Sequence, residues 1–109
     1  MEKLTRRRRK AAFYNYISPR CVICAEEHPL LLDFHHFRGK KTAKISTLLY
    51  KAIDAPHVHC AALEAELQNV VPLCVVCHRL LHAGEITLRG DELDGIYVDN
   101  LQEVLYGAN

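Results

Sequence analysis

Cys21-Val22-Ile23-Cys24 and Cys74-Val75-Val76-Cys77 are two Cys-x-x-Cys pairs separated by 49 residues. Two residues between cysteines let the chain curl until both sulfurs face one ion. Four thiolates complete the tetrahedral shell that structural zinc prefers. These four residues are therefore assigned to one structural Zn2+. The fifth cysteine, Cys60, falls on a helix face and reads as a small buried hydrophobe rather than a ligand.

Histidines stand beside both pairs and are surplus to that zinc. His78 and His82 are four apart, so on a helix they share a face. His78 follows Cys77 directly, and one residue is about 100° of helical rotation. One helix can thus show Cys77 to the zinc and the two imidazoles elsewhere. The competing arrangement is a mixed site that His78 or His82 completes. His35 and His36 end an extended segment and point to opposite sides of it. If one binds a metal, the other stays free to take a proton, and imidazoles exchange protons near neutral pH. His28, His57 and His59 lack such support and read as surface residues, although His57-Val58-His59 could take an adventitious metal.

The elements that must position these groups are legible in the pattern. Residues 2–17 form a basic helix that ends before Ser18-Pro19. Leu30 to Phe34 is a short strand running into His35-His36, followed by the basic loop Arg38-Gly39-Lys40-Lys41. Ile45, Leu48, Leu49, Ala52 and Ile53 recur at helical spacing. Pro56 separates this helix from a second, near residues 58–68, with Cys60, Leu63 and Leu67 on one face. Val70 to Leu73 is extended and leads into a helix over 75–83 that Gly84 stops. Ile86 and Leu88, then Ile96 and Val98, alternate with polar neighbours as in a weak hairpin. A last short helix covers 99–106.

At 109 residues the chain is long enough for one domain, and half its residues are hydrophobic. A core this small gains from a metal staple. Net charge is only +1, but it is unevenly spread. Residues 1–51 carry twelve Lys/Arg against four acids, and residues 52–109 carry two against nine. The basic half suits a polyanion such as nucleic acid. Pairing of the two halves within the fold is the plainer account. No stretch has the length and apolarity of a membrane span or the form of a signal peptide, so no membrane association is expected. Cysteines without a secretion signal point to metal in a reducing compartment.

Together, Cys21-x-x-Cys24, Phe34-His35-His36, Asn69, and Leu73-Cys74-x-x-Cys77-His78 with His82 resemble the HNH endonuclease family. The likeness is to small bacterial and phage members with zinc knuckles, and it covers roughly residues 10–84. It implies a small α+β fold: a ββα-metal core with a four-cysteine zinc site and flanking helices. The expected division is a basic helix at 1–17, an HNH core at 18–84 and an acidic extension at 85–109. The family's general base falls on His36, and its metal ligands fall on His35, His78 and His82. Its middle asparagine, which buttresses the loop after the strand and orients the base, falls on Asn69. Many members have Asp where this chain has His35. The imidazole-rich shell accepts Zn2+, Ni2+, Mn2+ or Co2+ as readily as Mg2+. The proline often found after the base is absent, with Phe37-Arg38-Gly39 in its place.

The implied activity is metal-dependent hydrolysis of DNA phosphodiesters, leaving 5′-phosphate and 3′-hydroxyl ends. Arg6, Arg7, Arg8, Arg9, Lys10, Arg38, Lys40, Lys41 and Lys44 would hold the backbone in salt-dependent, largely sequence-blind contacts. A bacterial cytoplasm, or a phage-infected host, is the setting such a nuclease implies. So small a chain would draw specificity from a protein partner or a dimer. The acidic segment containing Asp91, Glu92, Asp94, Asp99 and Glu103 is a surface for such a partner, or else a solvated tail. The principal alternative is a non-catalytic zinc module that binds nucleic acid, which would have no use for His36. Haem attachment through Cys74-x-x-Cys77-His78 leaves Cys21 and Cys24 unexplained. A zinc deaminase would need His-x-Glu, which is absent.

Overall fold

Among the described residues, five helices and one two-stranded antiparallel sheet make a small α+β architecture in the computed structural model. It describes residues 2–39, 41 and 43–107. Helix α1 spans Glu2–Ile17. It stops where Ser18 turns to φ +43° ahead of Pro19. The Ser18 hydroxyl donates to the Asn15 carbonyl at 2.9 Å, closing the frayed end. Among the described side chains of α1, Phe13 is the one sunk fully into the interior.

Strand β1 is Leu32–His36 and strand β2 is Val70–Cys74. Their register sets Leu32 opposite Cys74, Phe34 opposite Pro72 and His36 opposite Val70. Between them lie α2, Ile45–Asp54, and α3, Pro56–Leu67. Helix α4, Val75–His82, begins directly after the last residue of β2 without a loop. After a 3₁₀ turn at Gly90–Glu92, α5 spans Leu101–Tyr106.

Apolar spacing decides what is buried. The α2 residues Ile45, Leu48, Leu49, Ala52 and Ile53 all face inward. They meet Phe13, Leu63, Leu67, Val70, Leu101 and Leu105 in the main core. A second, smaller cluster gathers Cys21, Leu32, Leu73, Cys74 and Cys77. All five β2 residues are buried, so this strand is the wall between the two clusters.

Several sequence expectations shift, and the last helix begins at Leu101 rather than at 99. Residues 29–31 are a 3₁₀ turn, so β1 begins at Leu32 rather than Leu30. Helix α3 begins at Pro56 itself, because proline's fixed φ and missing N–H suit the first helical position. The weak hairpin does not form among the described residues. Ile86 and Leu88 pack on the cysteine cluster, whereas Ile96 and Val98 pack on the main core. The two halves are drawn to different interiors. The second half is pinned by Ile96 N–H donating to the Leu67 carbonyl at 2.9 Å. Gly95 permits that approach: its φ is +77°, and any Cβ there would run into the Gln68 carbonyl.

Candidate metal centres

The knuckle at Cys21 is closed by its own backbone. Ala25 N–H donates to the Cys21 carbonyl and Cys21 N–H to the Glu26 carbonyl, both at 2.9 Å. Ala25 takes φ +67° to complete the reversal. Val22 N–H then donates to the Pro72 carbonyl at 3.1 Å, docking the knuckle on β2. The second pair is built by the strand-to-helix junction. Cys74 caps α4, its sulfur accepting the Cys77 N–H at 3.3 Å.

The donor atoms of Cys21, Cys24, Cys74 and Cys77 lie within 4.8 Å of one another, and these four cysteines could hold a metal such as zinc. The Cys24 and Cys74 sulfurs are 3.6 Å apart. Tetrahedral zinc with bonds of about 2.3 Å would set its sulfurs about 3.8 Å apart, so the donor set fits the ion. Three of the four are buried and Cys24 is exposed. Burial alone would raise the Cys21 thiol. Hydrogen bonds from the backbones of Cys24, Cys74 and Ile23, and from the Cys24 side chain, outweigh it and bring Cys21 down to about 7. Burial and the neighbouring thiols push Cys77 up. Metal binding would displace the protons held by such a cluster. Cys60 stands apart on α3. Burial, with the charge of Glu64, raises its thiol to about 11, which keeps it a protonated core residue.

The second cluster is imidazole. His35, on β1, and His78 and His82, one turn apart on α4, bring ligand nitrogens within 4.8 Å of one another. His35 Nδ1 lies 3.3 Å from His78 Nε2. His82 Nε2 lies 3.1 Å from the same atom. Asp33 Oδ2 sits 3.0 Å from His78 Nδ1. An ionised carboxylate only accepts, so it holds the proton on Nδ1 and leaves His78 Nε2 as a lone pair. These three nitrogens could together hold a metal ion. Nitrogens bound tetrahedrally at about 2.0–2.1 Å would be about 3.3 Å apart. Burial lowers the proton affinity of His35, and His78, His82 and His36 act in the same direction. The neutral, metal-competent form is thereby favoured.

His36 points away from this cluster. Its Nε2 meets Glu66 Oε2 at 2.8 Å, with side-chain exposures of 12% and 7%. Asn69 is at the loop that follows β1. Its carbonyl accepts the Phe37 N–H at 3.0 Å, its Oδ1 accepts from Arg38 Nε at 3.4 Å, and its side chain packs on Gly39.

A cleft of about 430 Å³ opens beside these groups, lined by His36, His78, Asp33, Lys41, Lys44 and Ser46. A second, of about 270 Å³, is lined by Arg6, Arg7 and Lys10. The two share Tyr14, Ser46 and Leu49 as walls. Other expected basic contacts are engaged internally. Arg38 donates to the Gln68 carbonyl and to the Tyr97 hydroxyl. Arg9 donates to the Ile53 carbonyl at 2.6 Å and lies over the Tyr106 ring. Arg6 also pairs with Asp54 at 2.8 Å, a contact between the basic and acidic halves. Arg8 is exposed on α1, and Lys40 lies outside the described residues.

Sequence reasoning missed Asp33 and Glu66. Asp33 had a signal, since it shares a strand face with His35. Glu66 had a fainter one, a carboxylate three residues after Leu63 on the apolar face of α3. Among the described residues no helix is long and apolar enough to cross a membrane. Comparison with protein-family models, curated proteins and solved structures found no match to this chain.

Proposed function

We propose that this protein is a metal-dependent DNA endonuclease of the HNH type, built on a ββα-metal core formed by β1, β2 and α4. One observation carries the reading. A three-imidazole set lies next to a separate four-cysteine set, and a further histidine, His36, lines the same basic cleft as His78. A purely structural zinc module has no need for the second set.

In this reading His35, His78 and His82 hold a divalent cation, Mg2+, Mn2+, Ni2+ or Zn2+, and the four cysteines hold structural zinc. The cation would supply Lewis-acid stabilisation of the phosphate and the departing 3′-oxygen. His36 takes a proton from water for in-line attack on phosphorus. Lys41 and Lys44 receive the phosphate charge at the cleft. Arg6, Arg7 and Lys10 extend the cationic wall toward α1, a path for the DNA backbone. Asn69 holds the loop that follows the base.

The test is cleavage of supercoiled plasmid by the purified protein across those four metals, with His36→Ala in parallel. The wild type nicks or linearises the plasmid, and His36→Ala is slower by about 100- to 10,000-fold. Equal cleavage by both, or none by either, would overturn the proposal. In the second case, retained plasmid binding would return the non-catalytic nucleic-acid module.

A further inference from the structure

Glu66 is a carboxylate in the wrong place for a core. It is 6% exposed and sits among Cys60, Leu63 and Leu67 on the inner face of α3. Leu63 and Leu67 are fully buried, so the helix that mounts it is anchored by packing. Glu66 is 30 residues from His36 in sequence, yet its Oε2 lies 2.8 Å from the His36 Nε2. Glu66 is buried and the His36 side chain is only 12% exposed, which limits the water that competes for that hydrogen bond.

We propose that Glu66 is the positioning residue for His36, fixing the Nε2–H tautomer so that Nδ1 is the nitrogen that accepts the proton from water. The inference rests on the reading of His36 as the general base. It extends that reading to a residue outside β1, β2 and α4, supplied by the helical segment between the strands.

The chemistry follows from the donor inventory. An ionised carboxylate accepts and cannot donate. Bonded to Nε2, it holds the ring proton there and leaves the Nδ1 lone pair open. It also fixes the ring's rotation about χ2, which the strand backbone alone does not set. When Nδ1 takes the proton, the imidazolium that forms has a buried anion against its far side. The hydroxide oxygen then bonds to phosphorus as the bond from phosphorus to the 3′-oxygen breaks. The 3′-oxygenate takes a proton from solvent, and Nδ1 later returns its own. No oxidant or co-reactant enters.

The experiment uses the full chain with zinc in the cysteine site and the most active metal added. Glu66→Gln keeps the size of the side chain and removes the obligate acceptor. The expected result is a fall in kcat of about 100-fold or more, with KM for plasmid and metal content unchanged. Long-range 15N–1H spectra of the wild-type His36 ring, in the zinc-loaded protein, should show Nε2–H and a bare Nδ1. A wild type that cuts, with Glu66→Gln cutting equally fast, overturns the role of Glu66 and leaves the nuclease reading standing. A wild-type ring carrying its proton on Nδ1 also overturns it, and needs no variant to fold. A wild type that cuts nothing overturns the nuclease reading, and the inference falls with it.

Discussion

Asp33 decides which nitrogen of His78 faces His35 and His82, because its carboxylate takes the other at 3.0 Å. Carboxylates that orient metal-ligating histidines in this way are commonly worth 10- to 100-fold in affinity. Asp33→Ala should therefore weaken metal binding at the imidazole cluster by about that factor, read by competition with a chromophoric chelator. Zinc at the four cysteines should be unaffected, and equal affinity in the variant would remove Asp33 from the site. At this scale the sequence was most informative where ligands are close together along the chain. The spacing Cys74, Cys77, His78, His82 dictates directions on a helix, so two clusters were readable from one stretch. Glu66 was not readable in that way. Its partner is 30 residues away, and nothing local says that α3 turns its carboxylate toward the end of β1.

Helix α3 illustrates how elements are set by their surroundings. Its apolar face was visible as Cys60, Leu63 and Leu67. Its start at Pro56 needed the turn out of α2 to be seen. The stretch from Ile86 to Val98 is the opposite lesson. Alternation suggested one hairpin, but two separate apolar clusters compete for its side chains and win. The price of this docking is a single demanding backbone position. At Gly95, φ +77° and the nearby Gln68 carbonyl leave no space for a side chain. Gly95→Ala should destabilise the protein by more than about 1 kcal/mol, with the loss visible in urea denaturation. A midpoint equal to wild type would show that the segment from 93 to 98 can lift off without cost.

The whole molecule is elongated, 45 × 25 × 19 Å, with a helical core and a cysteine cluster on either side of β2. The core holds its large buried side chains without help from metal: Phe13, Leu63, Leu67, Leu101 and Leu105 are all at or near zero exposure. The cysteine cluster has fewer apolar residues, and an ion bound by its four thiolates would tie it together. Stripping zinc with a strong chelator should therefore free the amides of the knuckle and α4 to exchange with solvent, while α1, α2, α3 and α5 stay protected. Hydrogen exchange by mass spectrometry measures this, and loss of protection everywhere at once would mean one cooperative unit. The burial of Leu101 and Leu105 shows α5 to be part of that core. The acidic composition of residues 85–109 did not reveal this, because two leucines a turn apart are a small signal among so many charges. Cys77 and His78 are consecutive residues on α4, so whatever fixes the first fixes the second. Under the proposed function, thiolates gathered around zinc would seat α4 and so place His78 and His82. If the chain is the nuclease proposed above, a newly made copy in a zinc-starved cell would remain latent, its second centre unbuilt rather than inhibited.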